Sequence, residues 1–376
     1  VDRPVETSLR EGLVLESSVY PSVASQSVDL PSTEPADLLV TGIGGATPKA
    51  ASVLSQALDM PVETVVDALY RAPARLLAGL PAADATHLAG VIRTLGVEVA
   101  VTPAGPAPAR APAVDLAGEL IDLDAADAVG QVLGRFLGME PSVALDLLLT
   151  PPGVILGNVT EATVRALEAA LPADAVRLTA SRPDTAGFAL FASGLSPLQV
   201  GILRPRLPAG AEIAAGGSAT VFDLTRGEAD GLWRRLKAPE QVRIIDQAFL
   251  RFSIELVAAP DDAAEALEAL AGVPVDDYDL LRQALPVPIE AGVAFADLED
   301  RMAAYEAANL HVRAELETFA HQALDILSAP AALLAEFGLA GPAPLTTPPM
   351  PRPHARLLRH RLEAAGAEVL FAETVR

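Results

Sequence analysis

Nothing constrains the fold of this chain more than its resemblance to itself. Displaced by 79 residues, it aligns with itself without a gap over about 55 positions, and duplication on that scale restricts the fold to a unit that can be copied and stacked. Val53, Leu54, Leu58 and Met60 meet Val132, Leu133, Leu137 and Met139, while Asp67, Leu69 and Pro73 meet Asp146, Leu148 and Pro152. Leu88, Ile92, Val97 and Val99 then meet Leu167, Leu171, Val176 and Leu178. A displacement of 213 adds a third copy, pairing Leu54 with Leu267, Pro61 with Pro274, Pro73 with Pro286 and Gly79 with Gly292. A fourth, at 270, is more eroded: Leu54 with Leu324, Leu69 with Leu339, Leu88 with Leu358, and Gly96-Val97-Glu98-Val99 with Gly366-Ala367-Glu368-Val369.

Within the first copy, Leu38 to Val40 predicts a short strand, Ala50 to Leu58 a helix and Val62 to Tyr70 a second helix. Pro73 to Leu77 predicts an extended crossing, Ala82 to Leu95 a third helix and Val97 to Val101 a last strand. Pro61 and Pro73 punctuate the second helix, Gly79 permits a turn into the third and Gly96 suits its C-cap. Ala85, Leu88, Ala89 and Ile92, three and four apart, give that helix one apolar face to lay on a small sheet. The fold class expected is α+β, built of tandem βααβαβ modules with helices packed on one face of small antiparallel sheets.

The chain divides accordingly. Residues 1–35, rich in Ser, Val, Glu and Pro, read as an extended tail, either poorly ordered or docking as a strand through Gly12-Leu13-Val14-Leu15-Glu16. Module one takes 36–102, an Ala/Pro spacer of polyproline type 103–113, and module two 114–181. A divergent stretch, 187–250, fits less well. There Gly194-Leu195-Ser196 through Leu203, Leu207 and Ile213 resembles the second half of the unit, and Gly227 to Ile245 reads as a further helix and strand. Module three takes 251–315 and module four 316–376, with a Pro-rich insertion from Pro342 to Pro353.

The residues Ala72-Pro73-Ala74-Arg75-Leu76-Leu77-Ala78-Gly79-Leu80, followed by an amphipathic helix and Gly96-Val97-Glu98-Val99, resemble the C-terminal domain of the bacterial large-subunit ribosomal stalk protein. The resemblance covers 37–102 best, 114–180 and 252–315 less closely, and only the end of 316–376, where Gly366-Ala367-Glu368-Val369 matches the family's tetrapeptide. It implies a compact, ClpS-like fold of three helices over a small antiparallel sheet. In that family a helical face with several lysines recruits translational GTPases. At those positions the first copy has Thr47, Ser52, Glu63, Val66 and Leu77, so the resemblance carries the fold without the basic docking face.

Chemistry-bearing motifs are sparse. Gly42-Ile43-Gly44-Gly45-Ala46-Thr47 follows a strand and opens a helix but lacks the third glycine of a phosphate cradle, so a simple turn is expected. Asp122, Asp124 and Asp127 lack the glycine and distal glutamate of a calcium loop. The histidines, His87, His311, His321, His354 and His360, show no metal-ligand spacing. Ser196, followed by Pro197, reads as a helix N-cap rather than a nucleophile. With no cysteine, neither disulfides nor thiolate sites can form. No catalytic residue, metal site or cofactor is expected.

Charge narrows the partners. The net charge of −22 repels nucleic acid at long range and favours basic protein surfaces. Within this acidic chain Arg352, Arg356, Arg359 and Arg361, with His354 and His360, concentrate positive charge on one stretch. They read either as a solvated helix face or as a docking patch for an acidic partner or another copy's acidic surface. Asp261, Asp262 and Glu265 form the natural complement, or simply stabilise a helix N-terminus. The expectation is a cytoplasmic, non-catalytic scaffold or adaptor with no membrane span, binding proteins or further copies of itself, its tail available for docking. Alternatives are an enzyme or ligand-binding protein with a site between modules, and a translation-associated factor.

Overall fold

The computed structural model describes residues 34–206 and 217–372. Both readings of the N-terminal tail, and Leu207 and Ile213, lie outside them. The fold is α+β. Among the described residues, five three-stranded antiparallel sheets follow one another along the chain, each with its first strand in the middle.

In the first unit, β1 (Pro35–Gly42) is the centre, flanked by β2 (Ala74–Pro81) and β3 (Glu98–Pro103). Helices α1 (Pro48–Leu58) and α2 (Val62–Tyr70) join the first pair of strands, and α3 (Ala82–Thr94) joins the second. Ala36, Leu38 and Val40 alternate inward from β1 to meet Leu54, Val65, Leu69 and Ile92. The second unit repeats this with β4 (Val114–Leu120), α4 (Ala126–Leu137), α5 (Pro141–Leu149), β5 (Val154–Val159), α6 (Glu161–Ala170) and β6 (Val176–Ser181).

The segment that fitted least well in sequence has the same strand order: β7 (Phe188–Ala192), α7 (Pro197–Leu203), β8 (Ala219–Leu224), α8 (Arg226–Leu236) and β9 (Val242–Asp246). Helix α7 lies between the middle strand and the first edge strand, so Gly194 to Leu203 belongs to the first half of a unit rather than the second. Ser196 caps it through a reciprocal box with Gln199, and Thr225 caps α8 in the same way with Glu228. The next unit holds β10 (Arg251–Ala258), α9 (Ala264–Ala271), α10 (Tyr278–Gln283), β11 (Val287–Ala294), α11 (Phe295–Ala307) and β12 (His311–Leu316). Tyr305 is fully buried there, its hydroxyl 2.9 Å from Glu290; burial and that carboxylate push its pKa up to about 12.

The last unit is abbreviated. It comprises β13 (His321–Gln322), β14 (Leu324–Ser328), α12 (Ala331–Glu336), β15 (Leu345–Thr346), β16 (Met350–Pro351), α13 (Arg352–Ala364) and β17 (Glu368–Phe371). A single short helix spans the crossing where the first, second and fourth units use two. Leu324 consequently sits on the middle strand and is not the counterpart of Leu54 on α1, whereas Leu358 on α13 does correspond to Leu88 on α3.

Gly79 serves a bulge inside β2 instead of a turn into α3. Its φ of 67° suits glycine, and the register between β1 and β2 shifts there. The freed amide donates to buried Asp37 at 2.9 Å, which also accepts from the Gly105 amide at 3.2 Å and lies 3.3 Å from Arg75. Arg75 in turn donates to the Gly105 carbonyl at 2.9 Å, so the start of the Ala/Pro segment folds back against the outer side of its own sheet. At the matching bulges, the Asn158 amide donates to Asp115 at 2.7 Å and the Gly292 amide to Glu317 at 2.8 Å.

Neighbouring units are fused. The first two share one apolar core. Tyr70 meets Phe136 edge to face with centroids 6.2 Å apart, and Thr160 donates to the Ala72 carbonyl at 2.6 Å. A Cβ at Gly138, the left-handed cap of α4, would come within 2.7 Å of Pro48. Between the third and fourth units, Phe191 and Phe222 on the outer face of the β7 sheet pack against Phe295 and Phe319.

Asp37 makes acid stability measurable at one site. The Gly79 amide, then the Gly105 amide and Arg75, outweigh burial and hold its pKa below the usual 3.8. Because folding lowers the value, the stabilisation is complete above the unfolded-state pKa and is lost as pH falls through the lower folded-state one. Asp37→Asn is expected to cost about 1–3 kcal/mol at pH 7 and to flatten the acid limb of stability. Urea unfolding between pH 3 and 7 checks both.

Candidate functional site

The basic stretch singled out in the sequence folds as α13, and its helical spacing gives it two working faces. Ala355, Leu358 and Leu362, at i, i+3 and i+7, cover the sheet of their own unit. His354, Leu357 and Arg361, in the same spacing on another side, face the second unit. Leu357 is 5% exposed and joins the core shared by the first two units.

Around Leu357 the basic side chains find acidic partners. His354 Nε2 lies 2.8 Å from Asp146 on α5, and His360 Nε2 lies 2.7 Å from Asp124, just before α4. Arg361 pairs with Asp127 in the first turn of α4. Asp122, Asp124 and Asp127 thus form no cation loop: the Asp122 carboxylate accepts the Asp124 amide at 3.0 Å, and the other two hold α13. These pairs are largely exposed and worth about 0–1 kcal/mol each, whereas burying Leu357 is worth about 2 kcal/mol, so the apolar plug dominates and the charges set orientation.

The remaining cations behave differently. Arg359 pairs within its own helix with Glu363 at 2.8 Å and lies over the Phe371 ring at 4.7 Å. Arg352 pairs with Glu317 at 2.8 Å. Arg356 is exposed and has no ion-pair or hydrogen-bond partner among the described residues. Asp261, Asp262 and Glu265 do not meet α13: Asp261 pairs with Arg282 of its own unit, and Glu265 lies in the first turn of α9, where an acidic side chain complements the helix dipole.

A second surface recurs on the helical hairpins. Val62 and Val66 stand exposed on α2 and Val53 on the preceding α1, with Asp59, Glu63 and Asp67 also exposed. Met139 and Val143 occupy the corresponding hairpin of the second unit, and Leu198, 79% exposed, stands on α7. Val275 and Leu280, flanked by Asp276, Asp277 and Asp279, recur in the fourth unit. Lone apolar residues on a surface need no explanation, but the same crossing bearing them in successive units is a pattern. The sequence reading missed it because these positions sit at helical spacing like core positions, and only packing shows which face outward.

The glycine turn from Gly42 to Thr47 offers no open cradle, since the Gly45 amide donates to the Gly96 carbonyl at 3.0 Å. Among the described residues no group of three or more His, Asp or Glu side chains is placed to hold a metal ion. No helix there is long and apolar enough to cross a membrane. The chain matches no family model, no curated protein and no solved structure at a significant level.

Leu357→Asp is expected to release α13 from the second unit, raising hydrogen exchange across 352–364 by about tenfold or more while the first two units stay folded. Arg361→Glu should weaken docking slightly, and adding Asp127→Arg should restore it. Hydrogen-exchange mass spectrometry on the wild type, Arg361→Glu, Asp127→Arg and the double variant reads the coupling directly.

Proposed function

We propose that this chain is a non-catalytic adaptor that acts in the cytoplasm and receives basic, amphipathic segments of other proteins on the acid-rimmed hairpins of its repeated units. One observation carries the reading. Asp146 on α5 holds His354 of the basic helix α13, and its counterpart by the 79-residue repeat, Asp67 on α2, stands half exposed on the helix that carries Val62 and Val66, paired with Arg71 at 3.2 Å and Arg110 at 3.6 Å. The chain thus binds one basic helix within itself and offers the same kind of face again.

Apolar side chains within an acidic rim suit a partner with an aliphatic stripe flanked by Arg or Lys, the rim steering encounter and the stripe supplying affinity. Repetition adds valency, because a second contact on the same chain is effectively intramolecular. The units, as we read them, share the fold of the ribosomal stalk C-terminal domain. Three helices over a three-stranded antiparallel sheet support that reading, while Glu63 and Val66, in place of the family's lysines, give the hairpin the opposite charge preference.

Replacing Val62 and Val66 with Asp is expected to weaken partner binding by about 2 kcal/mol, roughly 30-fold, with unchanged thermal stability. Photo-crosslinking from Val53 in cells, with and without the two substitutions, checks it. Adducts that persist in the double variant, or no specific adduct with the wild type, would sink the proposal.

A further inference from the structure

Where α13 reaches the second unit, the surfaces do not close completely. A cavity of about 90 Å³ remains, partly open to solvent. Leu120, Leu148 and the Pro151-Pro152 pair of the second unit give it an apolar side, and Arg251, Arg352 and Arg356 line it as well. Three arginines converging on one hollow in a chain of net charge −22 demand a reason.

Ion pairing accounts for two of them. Glu317 gives one oxygen to Arg352 at 2.8 Å and the other to the Gly292 amide at 2.8 Å, so its acceptors are engaged. Arg251 has a side chain only 16% exposed, donates to Thr179 Oγ1 at 2.9 Å and to the Ala248 and Leu250 carbonyls at 3.0 Å, and has Glu119 at 3.8 Å. That carboxylate is shared with Arg177 at 3.3 Å. Burial makes Arg251 a less comfortable cation than usual, an effect an incoming anion would relieve. Arg356 is the third, with no partner among the described residues. Three guanidiniums against the two carboxylates that line the cavity leave a net positive charge alongside its apolar lining.

We propose that this cavity is a binding site for a small organic carboxylate, its charged end between Arg356 and Arg251 and its apolar body on Leu120, Leu148 and the proline pair. The planar guanidinium fork matches a carboxylate. The aliphatic lining offers no donors to the remaining oxygens of an inorganic phosphate, whereas it suits a short alkyl or aryl group. A hollow of this size suits a small acid better than a nucleotide. Because the walls come from the second unit, from the fourth unit through Arg251, Gly292 and Glu317, and from α13, an occupant bridges all three and holds the last helix in its docked position. The site is independent of the exposed hairpins and adds a ligand-responsive joint to the scaffold.

Ligand-observed NMR titration of the full chain with sodium benzoate tests it, with benzamide as the neutral counterpart and inorganic phosphate as competitor. Benzoate is expected to bind saturably with a Kd of about 1 mM, benzamide not to bind, and phosphate not to displace it. Arg356→Gln, an exposed and unpaired position, should weaken benzoate about tenfold without changing the melting temperature of the free protein, and benzoate should slow hydrogen exchange in α13 of the wild type. No saturable benzoate binding, equal binding of benzamide, displacement by phosphate, or unchanged affinity in Arg356→Gln would each overturn the proposal.

Discussion

A three-stranded sheet with helices on one side leaves its other side bare, and the architecture is organised around covering that second face. A unit of this size buries too small a share of its surface to be comfortably stable alone. The first three sheets therefore borrow cover: the first from Gly105 in the segment that follows it, the second from Arg251, the third from the aromatic side chains Phe295 and Phe319. The first two units go further and share a core, so that Tyr70 and Phe136 belong to both. Repetition multiplied a unit that needs neighbours, and the neighbours became part of the fold.

The last unit shows the same logic from the other side. It has lost a helix from its first crossing, so its own core is small, and α13 compensates by working on two faces. One face closes the local core through Ala355 and Leu362, and the other sends Leu357 into the core of the first two units. The flanking ion pairs are weak individually, yet they fix which way the helix lies. The charge that sets this chain apart, a basic segment in an acidic protein, is in large part consumed within the chain, Arg361 by Asp127 of the second unit, Arg352 by Glu317 and Arg359 by Glu363. What is left for other molecules is the surplus: Arg356 at the cavity and the acid-rimmed aliphatic side chains of the hairpins.

Sequence reading and structure part company where contacts are distant. The strand from Leu38 to Val40, the helix from Val62 to Tyr70 and the apolar face Ala85, Ala89, Ile92 were legible because their signals are local: periodicity, proline punctuation and repeat spacing. Gly79 was visible as a position needing positive φ, but whether it served a turn or a bulge depended on Asp37, 42 residues away, accepting its amide. The fourth copy was misaligned at Leu324 because a deleted helix shifts register without erasing the hydrophobic pattern. The divergent segment, 187–250, hid its strand order behind substitutions that kept burial and lost identity.

The sequence by itself determined that the chain is a run of related α+β units, that it is strongly acidic and that its positive charge gathers near the end, since composition and periodicity are properties of the chain alone. Only the tertiary structure decided which carboxylates meet that charge. Asp124, Asp127 and Asp146 lie more than two hundred residues from their partners, and Asp261, a candidate closer in sequence, pairs with Arg282 instead. Long-range pairing depends on how bodies dock, and docking is set by buried apolar area, to which a single residue such as Leu357 contributes more than the charges around it.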